Sequence, residues 1–529
     1  MFHILVSDHL HPEGWEVLHA APEVELDGPY PDRASVLAAI EVADALIIRS
    51  STQVDAELLA HAPWLRVVAR AGALLDNVDI DEATRRGILV INVPDANVVA
   101  VAEHVLAMLL ALARGIPQGY TSLRDGRWDR HQMLGIQLKD KTLGIIGYGR
   151  HGREVAARAQ AFGLRVLAYD PYIDESFARE HGVGIVPLPE LLARADIISL
   201  HAAVTPETAH ILNADAFALM REGVRIVNCT HAGLIDEAAL LDALQSGKVA
   251  GAALDTLAQE PPPADHPLIH HPNVIAVPHL NQNTIESQRS TSRRAAEQVL
   301  DALRGDDYRN VVNLPFGPGA EYRVYRPYLK LAEKLGKLQG QLAEGRIDQV
   351  EIEVQGDGLQ ALVRPIAVGL LSGMLKPYPA GARAVNYVSA PVIAHEQGIQ
   401  MRQVVGLELV DYPNLILCRV HWPGGSQTVA GVLFAGGEAR LVQFGDIRVD
   451  AKPEGYLLFL ENHDVPGVIG RVGTLLGAHG VNIGEWRLGR DRPGGRAVSF
   501  INLDSACPRD VLDKLRQLPD VQVAKLVKL

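Results

Sequence analysis

Short apolar runs that end in polar residues recur along the first three hundred positions, separated by stretches whose apolar residues fall at helical spacing. HILVSD, DALIIRS, LRVVARAG and GILVINVP are the first four runs, and SVLAAIEV and DAELLAHAP lie between them. Short runs bounded by turn residues read as strands, and their alternation with helices predicts a parallel sheet that gathers ligand-contacting groups at the carboxyl ends of its strands. Those ends carry Arg49-Ser50, Arg70-Ala71-Gly72 and 92–97. A long apolar helix over 98–113 leads to a second series of runs, beginning at 142–146 and continuing through ADIISLHA, GVRIVNCTHAG, AGAALDTL and NVIAVPHL. A helix over 291–304 is long enough to return the chain to the first unit. The stretch 313–450 has a Gly, Val and Leu rhythm without a reactive constellation. In the tail, Pro466-Gly467 opens a helix and Asn482 opens the next strand. The domains expected are therefore 1–97 with 296–312, then 98–295, 313–450 and 453–529.

Within the second series, KTLGIIGYGRHGREVAARAQAFGLRVLAYD joins a strand, a glycine turn, a helix and a second strand. Gly147 suits the turn, Gly149 the close approach of a pyrophosphate, and Gly152 the packing of helix on strand. Amides of the helix N-terminus, with Arg150 and His151, face the phosphate charge. Asp170 ends the second strand, where a carboxylate accepts from a ribose 2′-hydroxyl and repels a 2′-phosphate. The motif therefore predicts a dinucleotide site that prefers NAD to NADP.

Composition narrows the classes. A chain of 529 residues exceeds the roughly 250–300 residues of one core, so three or four domains are expected. The 48% hydrophobic and 21% charged residues describe globular domains rather than disorder. The apolar stretch 98–113 contains Glu103 and His104 and is too short to span a bilayer. A net charge of −13 argues against nucleic acid or an anionic membrane as partner, and an anionic substrate would need a local basic pocket. Cys229, Cys418 and Cys507 form neither a disulfide framework nor a metal spacing, and MFHILVSDHL lacks a basic leader before an apolar block. A reducing cytoplasm is the expected location.

RSSTQVDAELLA, RAGALLDNVD, GILVINVP, KTLGIIGYGRHGREVA, RIVNC, LIDEAALLDALQSG, AGAALD, QEPP and PHL resemble the D-2-hydroxyacid dehydrogenases, and among them the long-form D-3-phosphoglycerate dehydrogenases. VNYVSAPVIAHEQGI resembles their intervening domain, and the tail resembles an ACT domain, the small βαββαβ regulatory module. The resemblance implies an α/β fold with a flavodoxin-like substrate-binding domain and a Rossmann NAD domain. An α+β intervening domain and a ferredoxin-like ACT domain follow. It also implies a homodimer or homotetramer that oxidises a small anionic 2-hydroxy acid, D-3-phosphoglycerate, to 3-phosphohydroxypyruvate in L-serine biosynthesis.

Such a reaction needs a base for the hydroxyl proton, a cation for the carboxylate, and a nicotinamide held against the reacting carbon. His279 matches the family base and Glu260 the acid that orients it. His270 and His271 lack such a context and read as a surface loop. His231 stands where the family has an arginine, and Arg49 matches a phosphate contact. An arginine forks onto a carboxylate through two bonds, whereas an imidazole gives one and is partly charged at neutral pH. Losing a comparable donor costs on the order of 10²–10³ in rate. Asp255 resembles the acid that meets the nicotinamide amide.

Other departures from the family cluster in the same segments. Ala73-Leu74-Leu75 replaces a glycine-bearing loop, Asn97 is kept in a loop that loses a glycine, and Asn281-Gln282-Asn283 replaces Gly-Ala-Ser. Ala202-Ala203 replaces Thr-Pro. Cys229 and Thr230 complete the cofactor set. In the tail, Asp464 and Asn482 match the positions that hold L-serine between ACT subunits. Two alternatives to phosphoglycerate oxidation stay open: a weakened, NAD-binding amino-acid sensor, or a dehydrogenase of another 2-hydroxy acid.

Overall fold

The computed structural model describes residues 1–30, 32–316, 322–356, 359–376, 385–405, 412, 414–434 and 436–529. The chain divides into two compact units: 1–10, 15–92 and 295–529 form one, and 11–14 and 93–294 the other.

The first unit opens with a five-stranded parallel sheet, in the order Val24–Asp27, Phe2–Val6, Ala45–Ile48, Val67–Arg70, Leu89–Ile91. Of its inner strands, ALII and VVAR are buried at every position and Phe2–Val6 at its last three, as expected of parallel strands covered by helices on both faces. The edge strand VELD alternates half-buried and exposed residues, and this polar half hides it from an apolar-run reading.

Further along this unit, a six-stranded sheet runs Gln400–Val405, Gln349–Gln355, Leu415–Trp422, Gly425–Leu433, Ala439–Phe444, Ile447–Ala451. Its first pair is parallel and the rest antiparallel. The tail forms an antiparallel sheet in the order Ile483–Arg490, Arg496–Leu503, Tyr456–His463, Val521–Lys528, with helices Val468–Ala478 and Arg509–Arg516. That is the βαββαβ module. The boundary read at 450–453 overlaps the end of strand Ile447–Ala451, and one core crosses it. Phe444 lies 4.7 Å from Phe459 and 5.6 Å from Phe500, ring centre to ring centre, with Val498 and Val527 in the same cluster. Burial of three aromatic rings at such spacing couples the middle domain to the tail.

Helices Tyr322–Leu342 and Val363–Leu375 cover the six-stranded sheet, and glycines let their backbones touch. A Cβ on Gly336 would overlap the Leu370 carbonyl, and one on Gly373 the Glu333 carbonyl. Gly336→Ala is expected to destabilise this unit by about 3 kcal/mol through overpacking, seen as a lower urea midpoint. Gly470→Ala, in an exposed helix position with open space around it, is expected to leave that midpoint unchanged or raised.

The second unit is a seven-stranded parallel sheet in the order Val274–Ala276, Val249–Leu254, Val224–Asn228, Ile197–Leu200, Thr142–Ile146, Arg165–Tyr169, Gly184–Ile185. The order in which strands are added reverses between Thr142–Ile146 and Ile197–Leu200, which sets a ligand crevice at the carboxyl ends of those strands. Val98–Arg114 packs into this unit's core through Val101, Val105, Leu106 and Leu109. Among the described residues no single helix is long and apolar enough to cross a membrane. The helix read as 291–304 begins earlier, at Ile285, because the Thr284 hydroxyl accepts from Ser287 N–H at 3.1 Å and caps a polar first turn.

Candidate active site

The glycine turn follows Thr142–Ile146 and opens helix Arg150–Ala161. Gly147 has φ +92°, and a Cβ there would lie 2.5 Å from the Ala202 nitrogen. A side chain on Gly152 would overlap the Gly147 carbonyl, whereas nothing lies within 4 Å of the Cβ position of Gly149. The turn therefore needs two glycines for its own packing and leaves the third open toward the helix N-terminus, a place that suits a pyrophosphate. Asp170 is aimed by Tyr148 N–H at 2.9 Å and Tyr172 N–H at 3.0 Å, one to each carboxylate oxygen. These residues fit a dinucleotide. Arg150 is ion-paired with Asp95, and His151 Nε2 lies 3.5 Å from Asn97 Oδ1.

At the end of Val224–Asn228, the Asn228 side chain shapes the next turn. Its amide donates to the His231 carbonyl at 2.8 Å and its oxygen accepts from Thr230 N–H at 3.2 Å. The Thr230 hydroxyl donates to the Leu200 carbonyl at 3.0 Å. His231 thus sits on a backbone fixed independently of its own ring. Burial raises the Cys229 thiol far above its ordinary range, with Asp255 adding, so it stays protonated and inert.

Three imidazoles share this corner. Burial, then Arg150 and His231, hold His151 below the usual imidazole range. Burial pushes His201 down to about 3, with His151 adding; its Nε2 pairs with the Ser199 hydroxyl at 2.8 Å. A neutral buried histidine that takes a proton on unfolding favours the unfolded chain in acid. Its cost is absent above pH 6.5 and grows as pH falls toward 3. Acid unfolding of the wild-type NAD unit is expected to begin in that window, and His201→Leu to move it to lower pH, read by circular dichroism against pH.

His279 ends the segment after Val274–Ala276 with φ +51°, a strained conformation for a non-glycine residue of the sort that surrounding structure imposes at functional sites. Its own amide bonds the Asp255 carbonyl at 3.0 Å. Its Nδ1 lies 2.8 Å from Glu260 Oε2, and Glu260 Oε1 accepts from Leu257 N–H at 3.2 Å. The pair is partly exposed, at 32% for His279 and 41% for Glu260. With Nδ1–H donated to the carboxylate, Nε2 is the free basic nitrogen. A cavity of about 370 Å³ beside the pair is walled by Leu257, Pro261, Pro262, Ile269 and Val277.

Asp255 is 1% exposed. Its Oδ1 accepts from Leu280 N–H at 2.7 Å and lies 3.1 Å from His104 Nε2, and its Oδ2 accepts from Asn281 N–H at 3.0 Å. Asn97 is buried and donates to Gln282 Oε1 at 3.2 Å. His104, through Nε2, and Asn228, through its carbonyl, bond Asp255 without having been picked out as site residues. His104 and Glu103 break the apolar run 98–113, and a polar residue inside a buried helix was the signal available. His270 ends a short helix, Pro267–His270, rather than lying in a loop, and His271 follows as its cap.

In the first unit, Arg49 is half-buried and its carbonyl accepts from Asn77 at 2.7 Å. The Ala73 carbonyl accepts from Asn92 at 2.7 Å, and Leu74 is 38% exposed. In the tail, Asp464 accepts from Arg490 at 2.7 Å and Gly494 N–H at 3.1 Å, bonds that hold its carboxyl below the usual range. Asn482 donates to Asp504 at 2.6 Å. Both positions therefore spend polar atoms inside their own domain. Among the described residues no cluster of three or more His, Cys, Asp or Glu could hold a metal.

Residues 106–281, which carry both the glycine turn and the His279–Glu260 pair, match the NAD binding domain of the D-isomer-specific 2-hydroxyacid dehydrogenases. Residues 324–445 match the D-3-phosphoglycerate dehydrogenase intervening domain and 456–520 the ACT domain. D-3-phosphoglycerate dehydrogenase of Methanocaldococcus jannaschii is 38% identical over 530 residues, covering 100% of both chains. That of Bacillus subtilis is 37% identical over 529 residues, again covering 100% of both. The chain belongs to the D-3-phosphoglycerate dehydrogenase family. Among solved structures, the TT0316 protein of Thermus thermophilus is 34% identical with a TM-score of 0.54, covering 59% of this chain and 100% of its own. A D-lactate dehydrogenase of Aquifex aeolicus, complexed with NAD and lactic acid, is 28% identical with a TM-score of 0.50, covering 57% of this chain and 96% of its own.

Proposed function

We propose that this protein oxidises D-3-phosphoglycerate to 3-phosphohydroxypyruvate with NAD, the entry to L-serine synthesis. The observation that carries the reading is the 2.8 Å His279–Glu260 pair at the edge of an NAD domain whose full-length relatives bear that name. Gly147, Gly149, Arg150, His151 and Gly152 hold the pyrophosphate and Asp170 the adenosine ribose, with Ala202, Cys229, Thr230, Asp255 and Asn281 lining the rest of the cofactor's path. Bound NAD supplies the acceptor for the hydride that leaves C2. His279 Nε2 takes the C2 hydroxyl proton, and Glu260 holds Nδ1–H so that the ring stays aimed and its charge is stabilised as it forms. His231 steadies the substrate carboxylate. Arg49 is the proposed phosphate contact, and Ala73, Leu74 and Asn97 the remaining substrate contacts.

A panel of 2-hydroxy acids tests the substrate. kcat/KM for D-3-phosphoglycerate should exceed that for D-glycerate and D-lactate by on the order of 10²-fold or more. Equal values would assign a different substrate.

Two further readings accompany this one. The ACT domain is the proposed seat of small-molecule control, with L-serine exchanging for the internal bonds of Asp464 and Asn482. A homodimer or homotetramer is supported by Ile116, Tyr120, Leu123, Trp128 and Leu134, which are exposed along and just beyond one helix and would be covered by a second copy. The three buried, unpaired cysteines suit a reducing cytoplasm.

A further inference from the structure

The loop that presents Glu260 to His279 has little packing of its own. Between the buried Leu257 and Leu268, residues 258–261 and 263–265 are exposed, and the cavity of about 370 Å³ lies against Glu260, Pro261 and Pro262. Apolar burial therefore does not fix where the Glu260 carboxyl sits, although its 2.8 Å contact with His279 requires a fixed position.

One side chain ties both limbs of that loop. Glu237 Oε1 accepts from Ala258 N–H at 2.8 Å, two residues before Glu260, and Glu237 Oε2 lies 3.3 Å from His266 Nε2, six residues after it. A carboxylate only accepts, so His266 carries its proton on Nε2. Glu237 opens helix Glu237–Gln245, whose first turn is capped by Asp236 through Ala238 N–H at 3.0 Å and Ala239 N–H at 3.1 Å. Leu240, Ala243 and Leu244 bury that helix in the core of the NAD unit. The clamp thus stands on the folded core, and the loop hangs from the clamp. From Ala258 the path to the base is short: Leu257 N–H donates to Glu260 Oε1 at 3.2 Å, and Glu260 Oε2 faces His279 Nδ1.

We propose that Glu237 is a positioning residue, whose carboxylate clamps the loop through Ala258 and His266 and thereby holds Glu260 against the base. The proposal rests on His279 acting as that base with Glu260 as its partner. Glu237 bonds the loop rather than the His279 ring, so its effect on turnover passes through Glu260.

A double-mutant cycle tests this, with kcat and KM for D-3-phosphoglycerate and NAD affinity by calorimetry measured on each full-length protein. Glu237→Ala should lower kcat by about tenfold and leave KM and NAD affinity within about twofold, because the domain still folds but the carboxyl is no longer aimed. In protein that already carries Glu260→Ala there is no carboxyl left to aim, so adding Glu237→Ala should change kcat by less than about twofold. His266→Ala releases one limb only. It should cost about threefold in kcat, again only where Glu260 is present, and it carries the same cycle if Glu237→Ala protein does not fold. Wild-type kcat in the Glu237 and His266 variants, or an equal loss with and without Glu260, would overturn the clamp. So would a loss of turnover matched by a loss of NAD affinity. Wild-type protein without turnover, or Glu260→Ala protein with wild-type kcat, would overturn the reading of the His279–Glu260 pair, and the clamp with it.

Discussion

His279→Gln is expected to lower kcat by about 10³-fold while NAD affinity stays within twofold. Glutamine keeps a polar side chain but has no basic nitrogen, so the C2 hydroxyl proton must leave to water. The effect belongs to kcat because the ring is proposed to meet the reacting hydroxyl, whereas the dinucleotide contacts proposed for Gly147, Gly149 and Asp170 follow other strands. Glu260→Gln should cost less than His279→Gln: it still presents an oxygen to Nδ1, at 2.8 Å in the wild type, but withdraws the charge that stabilises imidazolium. Steady-state kinetics against pH, with NAD titration on the same protein, checks both. A histidine variant that loses cofactor and turnover together would place His279 in the scaffold instead.

The second large effect runs in the opposite direction. His231→Arg should raise kcat/KM for D-3-phosphoglycerate by about 10²-fold, because an always-charged fork replaces a single imidazole bond to the carboxylate. The backbone at 231 is set by the side chain of Asn228, through bonds of 2.8 and 3.2 Å, so the new side chain does not have to rebuild the turn. No gain, with wild-type NAD affinity, would mean that the pocket has moved to another substrate or to binding without turnover.

The cofactor strands were legible because they are short, apolar and bounded by turn residues; Thr142–Ile146 lies where the apolar run 142–146 put it. The glycines were legible because each has a separate mechanical reason, and those reasons reappear as a positive φ at Gly147, a backbone overlap at Gly152 and open space at Gly149. Val24–Asp27 was not, since half its residues face water. The core shared by Phe444, Phe459 and Phe500 was not, because rings distant in sequence meet only through the fold. The same holds for His104 on Asp255, 151 residues away, and for the ion pair that occupies Asp464. Local chemistry predicts which residues can act; long-range packing decides which atoms remain free to do so.

The most direct test of the account is NADH formation by the purified protein at alkaline pH with D-3-phosphoglycerate and excess NAD. Turnover within about tenfold of a typical ~10 per second is the predicted result, and it would show that His231 and the altered loops build a working dehydrogenase. Tight NAD binding with no detectable turnover would contradict it and leave a cofactor-loaded sensor.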